Sequence, residues 1–330
     1  MNKRWACLLL LFAQGLLSAC IVAQIATDVP TATPVAAPTL PPTATLSSTV
    51  TAPAPVTVTA PVTSTTVVDG LMVQVNGHQL ALYCMGTGTP TVILEAGLGG
   101  DHQSWAWVQP PVARLTRVCS YDRAGLGASD PGPKPRTGLT VAQELHQLLR
   151  TAGEAGPYVL VGHSFGGLFT RLYAHHYPDA VIGMVLVDAV HEDWWRRAQA
   201  LLPPPTPTDS PRLQNFRHFM TVGYADPAQN VEGIDIPATV AAVHDAGALG
   251  DLPLLVLVAG IPTVLAPGLP PALETDLNHL LQVELPTELA HLSTFSIQLP
   301  VSDSGHDIPR EQPDAVVVAI RTLLDVVRLH

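Results

Sequence analysis

Between Thr91 and Gly260 the chain carries five short runs of apolar and β-branched residues: TVILEAG, TRVCSYD, PYVLVG, VIGMVLVD and LPLLVLVAG. Strands read this way, without polar alternation, when both of their faces are covered, as in parallel sheets wrapped by helices. The pattern predicts an α/β domain with a mostly parallel central sheet and helices on both faces. At its head, LMVQV and HQLALYC flank Asn76-Gly77, a dipeptide suited to the positive φ angles of a tight hairpin. STFSIQLPVSDSG supplies a last strand.

Helical signals fill the gaps. Thr140 to Thr151 opens on a Thr140…Gln143 capping-box pattern, carries Val141, Leu145, Leu148 and Leu149, and meets Gly153 beyond its end. Pro313 to Leu329 begins with Pro at a first helical position and sets Val316, Ile320, Leu323 and Val327 on one face. From about 191 to 249 this rhythm breaks, with Pro203-Pro204-Pro205 and paired Trp194-Trp195, as expected of a cap inserted over one end of the sheet.

The first twenty residues, MNKRWACLLLLFAQGLLSAC, join a basic start (Lys3, Arg4) to an apolar stretch too short to span a bilayer comfortably. Their end, Leu17-Ser18-Ala19-Cys20, resembles the lipobox of bacterial lipoprotein signal peptides. The resemblance implies cleavage of residues 1–19, acylation of Cys20, and export to the outer side of the cell membrane on a lipid anchor. Residues 20–66 then read as a tether. From Pro30 to Thr66 they are almost entirely Thr, Pro, Ala, Val and Ser, without a charge, a composition that blocks helix and sheet alike. The folded domain is expected over 67–330. The net charge of −11 falls to about −13 once Lys3 and Arg4 are removed. With no basic run, nucleic acid is excluded as a partner.

Gly162-His163-Ser164-Phe165-Gly166 lies between the apolar YVLV and the helical LFTRLYAHHY. A nucleophile on so sharp a strand-to-helix turn needs small flanking residues, and Gly162, Gly166 and Gly167 provide them. EAGLGG, YDRAGLGASDPG, GHSFGGL, VLVDA and SGH follow one another in the order of the α/β-hydrolase superfamily, which the chain resembles from Val67 to His330. The resemblance implies an α/β-hydrolase fold with Ser164 as nucleophile. His306, after the last strand, is then its base. The commonest family position for the acid, after LPLLVLVAG, holds no carboxylate before Glu274. Asp188, at the alternative family position, is therefore the expected acid, with Glu274, Asp276 and Asp303 as rivals.

Family geometry assigns the oxyanion hole to the backbone N–H groups of Leu98 and Phe165. It also makes the strands of Cys84 and Cys119 neighbours, so that these two cysteines pair in an oxidising compartment or remain as buried thiols. His163 reads as a packing residue, and His175, His176 and His191 as helix-surface or loop residues. Trp105, Trp194 and Trp195 line an apolar pocket or pack in the core or lid. No H-E-x-x-H or other metal-ligand spacing occurs. The expected activity is hydrolysis of a small-molecule acyl substrate, an ester first, without a cofactor. The rivals are a C–C bond hydrolase or haloperoxidase-like enzyme with the same triad, and a surface-displayed binding protein on a hydrolase scaffold.

Overall fold

The structure is a computed structural model that describes residues 70–262 and 268–329. The leader, Cys20 and the 20–66 tether lie outside the described residues.

Among the described residues eight strands form one sheet: β1 (Leu71–Val75), β2 (His78–Met85), β3 (Thr91–Glu95), β4 (Val118–Tyr121), β5 (Tyr158–His163), β6 (Val181–Val187), β7 (Leu254–Ala259) and β8 (Ser296–Val301). Their spatial order is β1-β2-β4-β3-β5-β6-β7-β8, antiparallel across β1, β2 and β4 and parallel through the rest. The first hairpin turns at Asn76 (φ 47°) and Gly77 (φ 95°), both in the left-handed region that a two-residue turn of this hand requires.

Among the described residues ten α-helices accompany the sheet: α1 (Gln109–Val112), α2 (Gly138–Ala152), α3 (Gly166–His176), α4 (Trp194–Leu201), α5 (Pro211–Thr221), α6 (Ile236–Ala246), α7 (Pro271–His279), α8 (Leu285–Ala290), α9 (Ile308–Glu311) and α10 (Pro313–Arg328). The apolar runs lack alternation because consecutive residues feed different cores. Ile93, Leu160 and Leu186 pack with Leu145, Leu148, Phe169 and Leu172 of α2 and α3. Val92, Val159, Val161 and Val185 pack with Val316, Ile320, Leu323 and Leu324 of α10 on the opposite face. Each such side chain, fully withdrawn from water, contributes about 1.5–3 kcal/mol of transfer free energy. Helices α4, α5 and α6 all lie in the chain between β6 and β7.

One boundary differs from expectation. Helix α2 starts at Gly138, capped by Thr137, whose Oγ1 accepts the Thr140 N–H at 3.2 Å; Thr140 is not the cap. The cause is tertiary. Thr239 of α6 accepts the Gly138 N–H at 2.9 Å, and a Cβ at Gly138 would stand 2.6 Å from both Leu172 and Thr239. At the other end Gly153 adopts φ 75°, the left-handed C-terminal cap.

Cys84 and Cys119 face each other directly across β2 and β4 and are joined by a disulfide. The bond closes a loop with a sequence separation of 35. In the chain-entropy account, replacing both cysteines by alanine should cost about 3–4 kcal/mol of stability, read as a lower urea midpoint insensitive to reductant.

Candidate active site

Three strand ends meet at the carboxyl edge of the sheet. Ser164 follows β5 directly and holds φ 53°, a left-handed value that costs an L-residue strain and that its surroundings impose. Its N–H donates to the Val187 carbonyl, and its own carbonyl accepts from Gly167 and Val190. The glycines around it are sterically compelled. A Cβ on Gly166 would stand 2.5 Å from the Glu95 carbonyl oxygen, and one on Gly162 would stand 2.7 Å from that of Gly166.

His306 lies in the turn between β8 and α9, and its Nε2 is 2.9 Å from Ser164 Oγ. Its Nδ1 is 2.6 Å from Asp188 Oδ2. Asp188 stands just past β6 at φ 41°, and its other oxygen, Oδ1, accepts the Ala259 N–H at the end of β7 at 2.9 Å. So the strand after which most relatives carry the acid supplies instead a backbone donor that orients an acid from its neighbour. The rivals stand apart. Glu274 and Asp276 ride on α7, Asp303 is exposed, and none of them is bonded to His306.

His163 has a role that composition does not reveal. Its Nε2 donates to the His306 backbone carbonyl at 2.9 Å, which fixes its tautomer. Burial, reinforced by repulsion from His306, pushes the His163 imidazole down to about 4, so it stays neutral beside His306. His306 goes the other way. Burial opposes its charge, but the hydrogen bond and charge of Asp188 outweigh it and raise its proton affinity above the ordinary imidazole value. The His306 turn is also held by Glu311, which accepts the Gly305 N–H at 2.6 Å, and by Ile261, which donates to the Ser304 carbonyl at 2.9 Å.

Opposite Ser164 lies the loop Ala96–Gly100. A Cβ on Gly97 would stand 3.2 Å from Ser164 Cβ, so this backbone packs against Ser164. Among the described residues neither the Leu98 nor the Phe165 N–H donates to a protein acceptor. Phe165 is also the N-cap of α3, whose positive end therefore faces the same point.

Trp105, Trp194 and Trp195 are core rather than surface, whereas Trp107 is exposed. Trp105 is fully buried and meets His163 edge-on, with ring centroids 6.5 Å apart. Trp194 is also buried, and Trp195 contacts Phe165 with centroids 6.0 Å apart and stacks on Tyr224. His175 and His176 are exposed on α3, as expected. His191 is a loop residue, as expected, but a buried one: its Nδ1 accepts the Asp193 N–H, and it faces Glu192 and Glu288 at 3.5 and 3.6 Å. Its local sequence could not show this, because Glu288 comes from α8, far along the chain.

A family model described as the alpha/beta hydrolase fold matches residues 90–251. The uncharacterized protein YqjL of Bacillus subtilis (strain 168) is 28% identical over 236 residues, 71% of this chain and 83% of that protein. The "Probable transporter efuK" of Hormonema carpetanum is 32% identical over 129 residues; the match takes in 37% of this chain but 18% of that protein. The chain thus spans less than a fifth of the length of that relative. A thermophilic esterase from Thermogutta terrifontis superposes with a TM-score of 0.53 at 22% identity, covering 79% of this chain and 99% of the esterase.

The Asp188–His306 contact has a spectroscopic consequence. By imidazole NMR, His306 should titrate above the ordinary value near 6.5, and Asp188→Asn should bring it down. Because the folded state holds this proton more tightly than the unfolded one, the associated stability is present in acid and is lost as pH rises through the folded-state value.

Proposed function

The chain is an α/β-hydrolase-fold protein, and from that premise we propose that it is a serine hydrolase that cleaves a small carboxylic ester, or a related acyl compound, through an acyl-enzyme. The observation that carries this reading is the unbroken relay of Ser164 Oγ, His306 and Asp188, with contacts of 2.9 and 2.6 Å. A serine hydroxyl is protonated at neutral pH and needs a base at hydrogen-bond distance. In the proposed reaction His306 Nε2 takes the Ser164 proton as Oγ bonds to the acyl carbon. The Leu98 and Phe165 N–H groups receive the oxyanion. Collapse of the tetrahedral intermediate expels the leaving group with the proton from His306. Water, deprotonated by the same imidazole, then releases the acid. Asp188 keeps the Nδ1–H tautomer in place and stabilises the imidazolium.

Ser164 argues against relatives that use an aspartate nucleophile. The complete relay weighs against a lapsed scaffold. We also propose that the helices between β6 and β7 act as the cap of the site, and that Cys20 carries a lipid anchoring the enzyme outside the cell membrane.

Wild-type protein should react with a fluorophosphonate probe and Ser164→Ala should not, while Asp188→Asn should lower turnover of a p-nitrophenyl ester on the order of a thousandfold or more. An unreactive wild type would overturn the reading, and full activity of Asp188→Asn would move the acid elsewhere. The anchor is tested separately: Cys20→Ala should shift the expressed protein from the membrane to the soluble fraction, and unchanged partitioning would refute lipidation.

A further inference from the structure

The loop that carries Leu98 is held by a buried ion cluster that the proposed mechanism does not use. Arg123 is 1% exposed, and all three of its nitrogens are engaged. Nε donates to Glu232 Oε2 at 2.7 Å, and Nη1 to Glu95 Oε1 and the Ala96 carbonyl at 2.6 and 2.8 Å. Nη2 donates to the Gly97 carbonyl at 2.6 Å and to Glu232 Oε1 at 2.7 Å. Glu232 Oε1 also accepts the Gly99 N–H at 2.7 Å.

These contacts fall on two particular peptide planes. The Gly97 carbonyl and the Leu98 N–H belong to one rigid peptide unit, pointing in opposite directions, so pinning the oxygen aims the N–H. The next unit ends in the Gly99 N–H, which Glu232 holds. Both planes flanking Leu98 are therefore fixed, one by Arg123 and the other by the carboxylate that neutralises Arg123. A cation on the Gly97 oxygen also polarises that peptide and strengthens its N–H as a donor.

Glu232 comes from the segment between β6 and β7, and that segment is tied down. Gly233 accepts the Arg136 N–H at 2.9 Å, and Arg136 accepts the Asp235 N–H at 2.7 Å. The Asn230 amide bonds both the N–H and the carbonyl of Ile234, at 2.8 and 2.9 Å. Burial opposes the Glu232 charge, but Arg123 and the Gly99 N–H more than offset this and hold its carboxyl below the usual range, so it is ionised.

We infer that Glu232 is a positioning residue for the oxyanion hole: acting with Arg123, it locks the Gly97–Leu98 and Leu98–Gly99 peptides so that the Leu98 N–H faces the oxyanion formed at Ser164. The inference rests on the serine-hydrolase reading. It makes the hole a joint product of the sheet and of the segment inserted between β6 and β7.

The test compares wild type, Glu232→Gln and Glu232→Met on p-nitrophenyl acetate and on an aryl trifluoromethyl ketone, whose adduct with Ser164 loads the hole with a real oxyanion. Glutamine keeps an acceptor and methionine does not. We expect kcat to fall about tenfold in Glu232→Gln and about a hundredfold in Glu232→Met, the scale of losing one oxyanion donor. KM should stay within about threefold, and the ketone's Ki should weaken in step with kcat. Unchanged kcat in a folded variant overturns the inference, as does a ketone Ki that follows KM rather than kcat. If Glu232→Met fails to fold, Glu232→Gln decides alone. A wild type that neither reacts with fluorophosphonate nor turns over ester overturns the hydrolase reading and this inference together. A reactive wild type with unaffected variants overturns only this inference.

Discussion

The parallel register of β5, β6, β7 and β8 is the constraint on which the rest of the structure depends. His163 sits beside Val187, Val187 beside Leu257, and Ala259 beside Val301. This alignment ends the strands at nearly the same level, so that a residue one step past β5, another one step past β6 and a turn just past β8 converge. Backbone bonds carry the alignment past the strand ends. Ser164 donates to Val187, Asp188 to Leu257 and Gly260 to Val301, each bond continuing the ladder into the site. Both Ser164 and Asp188 then turn sharply, at φ 53° and 41°. The strain at these two residues is sustained by a ladder whose inner strands are covered on both faces.

Around that edge, charge is separated by environment. His306 is paired with a carboxylate and binds its proton more firmly than a free imidazole, while His163 is buried and gives its proton up readily. Two imidazoles whose ring centroids lie 5.0 Å apart therefore do not compete for charge. One bridges Ser164 and Asp188, and the other holds the first one's backbone. Beneath the facing loop, Glu95 and Glu232 sandwich a single guanidinium, with the Tyr121 hydroxyl donating to Glu95 at 2.5 Å. A charge cluster this deeply buried is useful only if its geometry is complete, because any member left alone would face the full cost of desolvation.

The strands were legible in the sequence because double burial writes itself into consecutive residues such as Val159, Leu160 and Val161. Gly162, Gly166 and Gly167 were legible for a steric reason that is local to the turn. The placing of Asp188 came from family order, since nothing in VLVDA itself distinguishes an acid that meets His306 from one that caps a helix. What escaped the sequence was long-range and polar. Arg123 meets Glu232 across 109 positions, His163 meets the carbonyl of His306 across 143, and Thr239 moves the start of α2 back from Thr140 across 101 positions to Gly138. Such pairs have no period and no local composition to betray them.

The carboxylate just past β6 has a consequence for how chains of this kind can diverge. Where the acid follows β7, that stretch must keep both its length and one side chain to maintain chemistry. Here β7 contributes backbone groups, the Leu257 carbonyl and the Ala259 N–H, neither of which depends on a particular side chain. The sequence from Ile261 to Pro270 is thereby released from the relay's demands on side-chain identity.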